Sequence, residues 1–424
     1  MRVKHILHSV FVGVLFSSVY VSAQDGGTPA AGGSGDANPF ASYKCDPNVC
    51  KLPNCYCAST QPPVATPPQF LLVTYDDAVQ AAGWGPANAL LANRKNPNGC
   101  PAQATFFVST LYSDPYLMTQ WYAAGNELAS HTVTHAEPFT ATYPEIEGNR
   151  YWATSLSGIP RSKFAGFRHP FLNYTKESLE LLAKMGFLYD SSMSGGGGAD
   201  GVWPYTLDYG SVNDCLNGVN VCGRDLDAKG LWEIPMATLN NPVLGTQLMD
   251  PFNEPNPFNA TSPSQVTTDY TTAFTQHYTT NRAPFGVYTH PVWLGAAQLP
   301  AIPDGSKKLE AVQRFLDYAM GQKDVWMVTG RQVVEYMKNP VPADQLGSQP
   351  YMQCVKEADI PKGICNGIGD GSLAELCNFA EGPFRTCYGC PSTYPTLQTP
   401  STDPTSTRCR LPDTCDTLYW DPIG

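Results

Sequence analysis

Residues 70–77 read FLLVTYDD, a strand-forming run from Phe70 to Tyr75 closed by two adjacent acids, Asp76 and Asp77. Its apolar residues are nearly continuous rather than alternating, as in a buried strand. A carboxylate at the end of such a strand is costly to place unless something pairs with it. The same arrangement recurs along the chain. His131 and His135 sit in SHTVTH, just after the strand-like NELAS. Arg168 stands in FRHPF and His290 in GVYTHPVWL, again at or just past apolar runs. A divalent cation with a catalytic base beside it would satisfy these groups together.

Working outward from 70–77, strand-like runs alternate with helical patterns. ATFFVST reads as a strand, and SDPYLMTQWYAAG as a helix with Ser113 as N-cap. Thr175 to Met185 is the clearest helix, with a capping Thr, apolar residues at helical spacing and Gly186 to end it. FLYDSS and LWEIPM read as strands, and a Pro- and Asn-rich excursion then runs to about Pro263. A helix near Thr267 to Tyr278, the strand PFGVYTH, a helix from Lys307 to Met320, the strand VWMVT and a helix from Gly330 to Lys338 follow. Such alternation implies an α/β fold with a parallel sheet. Its extent predicts a distorted (β/α) barrel, closed or nearly so, with functional groups at the carboxyl ends of the strands.

The chain of 424 residues divides by composition. Residues 1–23 have the form of a signal peptide: Arg2 and Lys4, an apolar core, then Val21-Ser22-Ala23. Residues 24–44 are Gly- and Ala-rich linker, 45–69 a cysteine-rich N-terminal clasp, 70–340 the barrel, and 341–424 a cysteine-rich extension. No later run approaches the roughly 18 apolar residues of a spanning helix. The expected product is secreted, extracellular and monomeric, with no membrane partner. Fourteen cysteines fit an oxidising compartment. They fall as five up to Cys100, two at Cys215 and Cys222, and seven from Cys354. Two odd-numbered clusters require a bridge between clusters, or one through the central pair, if all cysteines pair. Cys387 and Cys390 have zinc-ribbon spacing but no second pair, which favours disulfides. Asn173 (NYT) and Asn259 (NAT) are glycan acceptor motifs. The net charge of −11 becomes −13 without Arg2 and Lys4. That excludes nucleic acid as a natural partner, since phosphate binding needs a basic surface.

Asp77, His131 and His135 offer one oxygen and two nitrogens, a set suited to Zn2+ or another borderline divalent ion such as Co2+. Three protein ligands leave positions open, the mark of a catalytic site. Asp76 is placed to act as general base, with Arg168 holding it ionised. His290 would then protonate the leaving group. Together they describe a metal-assisted hydrolase of an amide or ester. Each piece has a plainer reading: Asp-Asp as a turn or cap, HxxxH as ordinary surface or core, Arg168 as an ion pair, His290 as a buried histidine. Their joint order at strand ends outweighs these.

TYDDA, SHTVTH, FRHPF and THPVWL resemble the successive motifs of the polysaccharide deacetylase family, carbohydrate esterases of family four. The resemblance is closest to chitin deacetylases of the animal type, through CDPNVCKLPNCYC (Cys45 to Cys57), RKNPNGC, WPYT, NRAPFG and CYGCPSTYP (Cys387 to Pro395). Carried over residue by residue, it implies a base at Asp76, metal ligands at Asp77, His131 and His135, an acid at His290 and a tether at Arg168. It further implies an oxyanion donor at the backbone N–H of Phe171, where the family often has Tyr. Trp293 and Leu294 would line an acetyl pocket, and Asp190 would tune the acid histidine. His169 departs from the small residue common in its motif. A separate chitin-binding module is missing. The implied activity is removal of N-acetyl groups from chitin or N-acetylglucosamine oligomers. A de-O-acetylase on another glycan such as xylan, and a catalytically silent glycan-binding matrix protein, are the rivals.

Overall fold

A computed structural model describes residues 40, 42–136, 142–213, 221–222, 226–241, 245–251, 263–295, 305–354 and 374–397. The signal peptide and most of the linker lie outside these residues, as do Asn259 and most of the 249–262 excursion. The strands are β1 (Gln69–Asp77), β2 (Thr105–Val108), β3 (Glu127–Ser130), β4 (Gly166–Phe167), β5 (Tyr189–Asp190), β6 (Tyr205–Thr206), β7 (Trp232–Glu233), β8 (Leu239–Asn241), β9 (Gly245–Gln247), β10 (Phe285–Thr289), β11 (Val325–Val328), β12 (Glu375–Cys377) and β13 (Phe384–Thr386). The helices are α1 (Ala81–Ala89), α2 (Pro115–Ala123), α3 (Tyr143–Ser157), α4 (Lys176–Lys184), α5 (Pro263–Thr279), α6 (Pro291–Leu294), α7 (Gly305–Met320), α8 (Gly330–Lys338) and α9 (Ala343–Leu346).

The main sheet runs β10-β1-β2-β3-β4-β5-β7-β6, with β11 on the first half of β1. Every ladder is parallel except β6 with β7. β10 and β6, the two ends of the path, do not pair with each other among the described residues, so the sheet is a curled, open barrel. β1 is its centre because both its faces are covered. Leu71, Val73 and Tyr75 join the apolar cluster beneath helices α2, α5 and α7. Phe70 and Leu72 join the opposite cluster with Phe107, Tyr189, Trp203 and Trp232. Burying each such side chain contributes about 1.5–3 kcal/mol. The two-residue side-chain period then puts Thr74 and Asp76 on the face of Phe70 and Leu72.

Helix α4 starts at a capping box in which Thr175 and Ser178 exchange bonds, and Gly186 follows its end at φ 71°. The cap of α2 is Asp114 rather than Ser113: its carboxylate accepts from Tyr116 N, and Pro115 takes the first turn. Ser113 is instead spent on the loop, donating to Ser109 O and accepting from Val79 N.

The described parts of both cysteine-rich ends pack on the barrel. Disulfides Cys45–Cys57 and Cys50–Cys55 close the N-terminal clasp, whose Tyr56 donates its backbone N–H to Thr206 Oγ1, accepts from Thr206 N and stacks on Trp232. Cys100–Cys354 joins the first and last cysteine clusters, one of the two arrangements that the odd counts allowed. Cys377–Cys390 ties the β12–β13 hairpin, which packs Phe384 on Trp152 and pairs Arg385 with Asp114. Cys387 is disulfide-bonded too, which removes the zinc-ribbon reading.

Candidate active site

β1 ends by turning its two acids apart. Asp76 stays in register on the inner face and is 2% exposed, whereas Asp77 adopts φ 80° and its side chain is 46% exposed. Among the described residues, six of the ten non-glycine residues with positive φ belong to this region: Asp77, Thr132, His135, Phe171, Leu172 and Asp250. Such backbone strain, about 1–3 kcal/mol each, persists only where surrounding contacts enforce it.

Asp77, His131 and His135 come together. Asp77 Oδ1 lies 3.8 Å from His131 Nε2 and 3.4 Å from His135 Nε2, and their ligand atoms all fall within 4.8 Å of one another. His131 Nδ1 can only donate to its partner, the Arg168 carbonyl at 2.8 Å, which leaves the Nε2 lone pair free to bind a cation. Burial also holds the His131 pKa down to about 4 against the pull of Asp76, so the ring is neutral. The residues therefore fit a divalent cation with one carboxylate and two imidazole ligands.

Arg168 is fully buried beneath this cluster. It donates to Asp76 Oδ1 at 2.8 Å, Thr74 Oγ1 at 2.8 Å, Ser191 O at 2.7 Å and Ser191 Oγ at 3.1 Å, with Phe107 4.0 Å below the guanidinium. Burial alone would raise the Asp76 pKa, but Arg168, then His131 and His290, reverse this and hold the carboxyl below its ordinary value. Asp76 is thus an ionised carboxylate 3.9 Å from His131 Nε2.

His290 follows β10 directly, with Nε2 3.8 Å from Asp77 Oδ2. Its Nδ1 donates to Asp250 Oδ2, while Asp250 Oδ1 accepts from His290 N at 2.9 Å and Thr289 Oγ1 at 2.6 Å. Burial would lower the His290 pKa; the Asp250 carboxylate, aided by Asp77 and Asp76, raises it to about 10. Asp250 is the functional residue that the sequence reading missed. An isolated bridge between Met249 and Tyr288 lays its segment along β10, beyond any local pattern.

Asp190 does not take the role expected of it. Its carboxylate accepts from His169 Nδ1 at 3.0 Å and Ser192 Oγ at 2.9 Å, both groups being fully buried. His169 in turn reaches Ser178 Oγ at 2.8 Å. The acid went to the histidine of its neighbouring strand end, because β4 and β5 pair Phe167 with Asp190. Phe171 stands at φ 56° with its ring against His135, and its amide makes no hydrogen bond among the described residues. Trp293 and Leu294 lie on α6 just after His290 and are buried in the main apolar cluster. Asn173 is exposed two residues beyond Phe171.

Residues 64–189 match the family model for polysaccharide deacetylase. Over 374 residues the chain is 33% identical to chitin deacetylase 8 of Bombyx mori, covering 84% of this chain and 92% of that protein. This chain belongs to the polysaccharide deacetylase family. Chitin deacetylase 1 of Bombyx mori is 27% identical over 400 residues, 87% of this chain and 70% of its own length. A family 4 carbohydrate esterase from Streptomyces lividans, a solved structure, aligns at 14% identity and TM-score 0.34 over 61% of this chain and 91% of its own.

Proposed function

We propose that this polysaccharide deacetylase is a secreted, cation-dependent enzyme that removes N-acetyl groups from chitin or N-acetylglucosamine oligomers, releasing acetate and leaving free amines. Its relatives' chitin deacetylase names support the substrate class. The disulfides support an oxidising, extracellular setting. Among the described residues no helix is long and apolar enough to cross a membrane. Asp77, His131 and His135 would hold Zn2+, for which Co2+ is a chemical substitute. When bound, the cation supplies Lewis acidity to the substrate carbonyl and to the attacking water.

The chain's own groups divide the remaining work. Asp76, ionised and fixed by Arg168, takes the proton from the attacking water. The unengaged Phe171 amide donates to the oxygen where negative charge develops. His290, held protonated by Asp250, delivers a proton to the nitrogen as the C–N bond breaks. The pairing of His290 with Asp250 is the observation that carries the reading. An amine leaves an amide poorly without a proton, whereas an ester's alkoxide depends on one less. A proton donor fixed in place by Asp250 therefore suits an amide's leaving nitrogen. The test is acetate release from chitin oligomers of graded length, with acetylxylan in parallel and with chelator added and then excess zinc. Release from chitin oligomers that chelator stops and zinc restores is the expected result. Release from acetylxylan alone, or none from either, overturns the proposal.

A further inference from the structure

The strand-to-loop segment His131–His135 has to present two imidazoles four residues apart, and its backbone is poorly suited to hold that shape alone. Thr132 at φ 72° and His135 at φ 51° both lie in the left-handed region. Each costs a non-glycine residue about 1–3 kcal/mol. Something outside the segment must impose the conformation.

We infer that Glu145 and Asn149 of α3 are positioning residues for the metal-ligand loop. The inference rests on the reading of Asp77, His131 and His135 as cation ligands. Both side chains are buried, Asn149 completely. They stand four residues apart, so they share one helix face. The Glu145 carboxylate spans the middle of the loop: Oε2 accepts from Val133 N at 2.9 Å and Thr134 N at 3.0 Å, and Oε1 accepts from Thr134 Oγ1 at 2.5 Å. Asn149 Nδ2 donates to Val108 O at 2.6 Å and also to Thr132 O. One amide group thereby ties the end of β2 to the residue between His131 and the Glu145 contact.

The chemistry of the two groups is not interchangeable. A carboxylate is acceptor-only, so it can meet three donors at once. The Asn149 amide nitrogen is donor-only, so it can meet two carbonyls. Neither touches the proposed ligand atoms. Both fix the backbone from which His131 and His135 project, and partners of this kind change metal affinity by about 10–100-fold when removed. Glu147, also buried on α3, pairs with Arg161 instead and makes no hydrogen bond to the loop among the described residues. It therefore serves as an internal control for loosening of the helix.

The experiment measures zinc affinity of the full chain by competition with a chromogenic chelator, together with the visible absorption of the Co2+-loaded protein. Glu145→Leu leaves Val133 N, Thr134 N and Thr134 Oγ1 without their acceptor. Asn149→Asp sets a carboxylate against the Val108 and Thr132 carbonyls. Both are expected to weaken zinc binding by about 10–100-fold and to alter the Co2+ spectrum. Thr134→Val, which removes one donor at a half-buried position, should shift affinity in the same direction by less. It decides the matter if the stronger variants do not fold. Glu147→Gln should lower the melting temperature while zinc affinity stays near that of the unmodified chain. Affinity within about twofold of the unmodified chain for every loop variant overturns the inference, as does an equal loss in Glu147→Gln. An unmodified chain that binds no zinc overturns the reading of the site, and the inference with it.

Discussion

Replacing Asp250 by Asn removes one charge and nothing of the side chain's shape. The Asn oxygen can still accept from His290 N and Thr289 Oγ1, the two partners of Asp250 Oδ1. Its NH2 group then faces His290 Nδ1, which donates to Asp250 Oδ2 in the native chain. The ring must give up a proton to accept that bond. In the native site the pKa of His290 stands at about 10, so the ring is protonated throughout the neutral range and loses its proton only as pH rises towards that value. Without the carboxylate, the site loses the largest contribution that raises it. A cation on Asp77 cancels much of what that second acid provides. At an ordinary value of about 6.5, roughly 3% of the imidazole is protonated at pH 8 and about three quarters at pH 6. Asp250→Asn should therefore lower kcat/KM on chitin oligomers by about 30-fold at pH 8 and less than twofold at pH 6. The alkaline limb of the profile moves down by more than about two units. Zinc affinity should not change. Should the alkaline limb of the variant stay within about half a unit of the native one, Asp250 does not govern the acid.

The two acids of β1 should separate cleanly. Asp76→Asn is expected to abolish turnover, by about 100-fold or more, with zinc still bound in about equimolar amount. Asp77→Asn should weaken zinc binding itself; metal analysis after dialysis checks both, and zinc lost equally from the two overturns the division of roles. Asp190→Ala removes the acceptor of both His169 Nδ1 and Ser192 Oγ and should cost about 1–3 kcal/mol of stability in urea unfolding. The pH profile of its residual activity should match the native one, because Asp190 does not touch His290.

How much was legible in the chain depended on whether local pattern carried the information. β1, α4 and α8 were readable because continuous apolar residues, capping residues and a helix-ending Gly act over a few positions. Asp76, Asp77, His131, His135, Arg168 and His290 were readable because each lies at or just past the end of a strand. α1 was hidden by Gly83, Gly85 and Pro86, which weaken any helical signal. It is held by tertiary packing, with Gly83 set against Pro291. α3 was hidden because it buries Glu145, Glu147, Asn149 and Arg150, so its inward face does not look apolar. Asp250 had no local signature at all: only its pairing beside Tyr288 brings it to His290. Asp190 looked plausible as the acid near the histidine, but strand order decided its partner.

Cys100 and Cys354 are 254 positions apart, and His290 lies between them. During synthesis every side chain assigned to the chemistry leaves the ribosome before Cys354 does. The bridge that fastens the two ends of the barrel can close only after the catalytic apparatus has been fully made. Production in a reducing cytoplasm would supply the reacting groups and omit the stitch that keeps their framework shut.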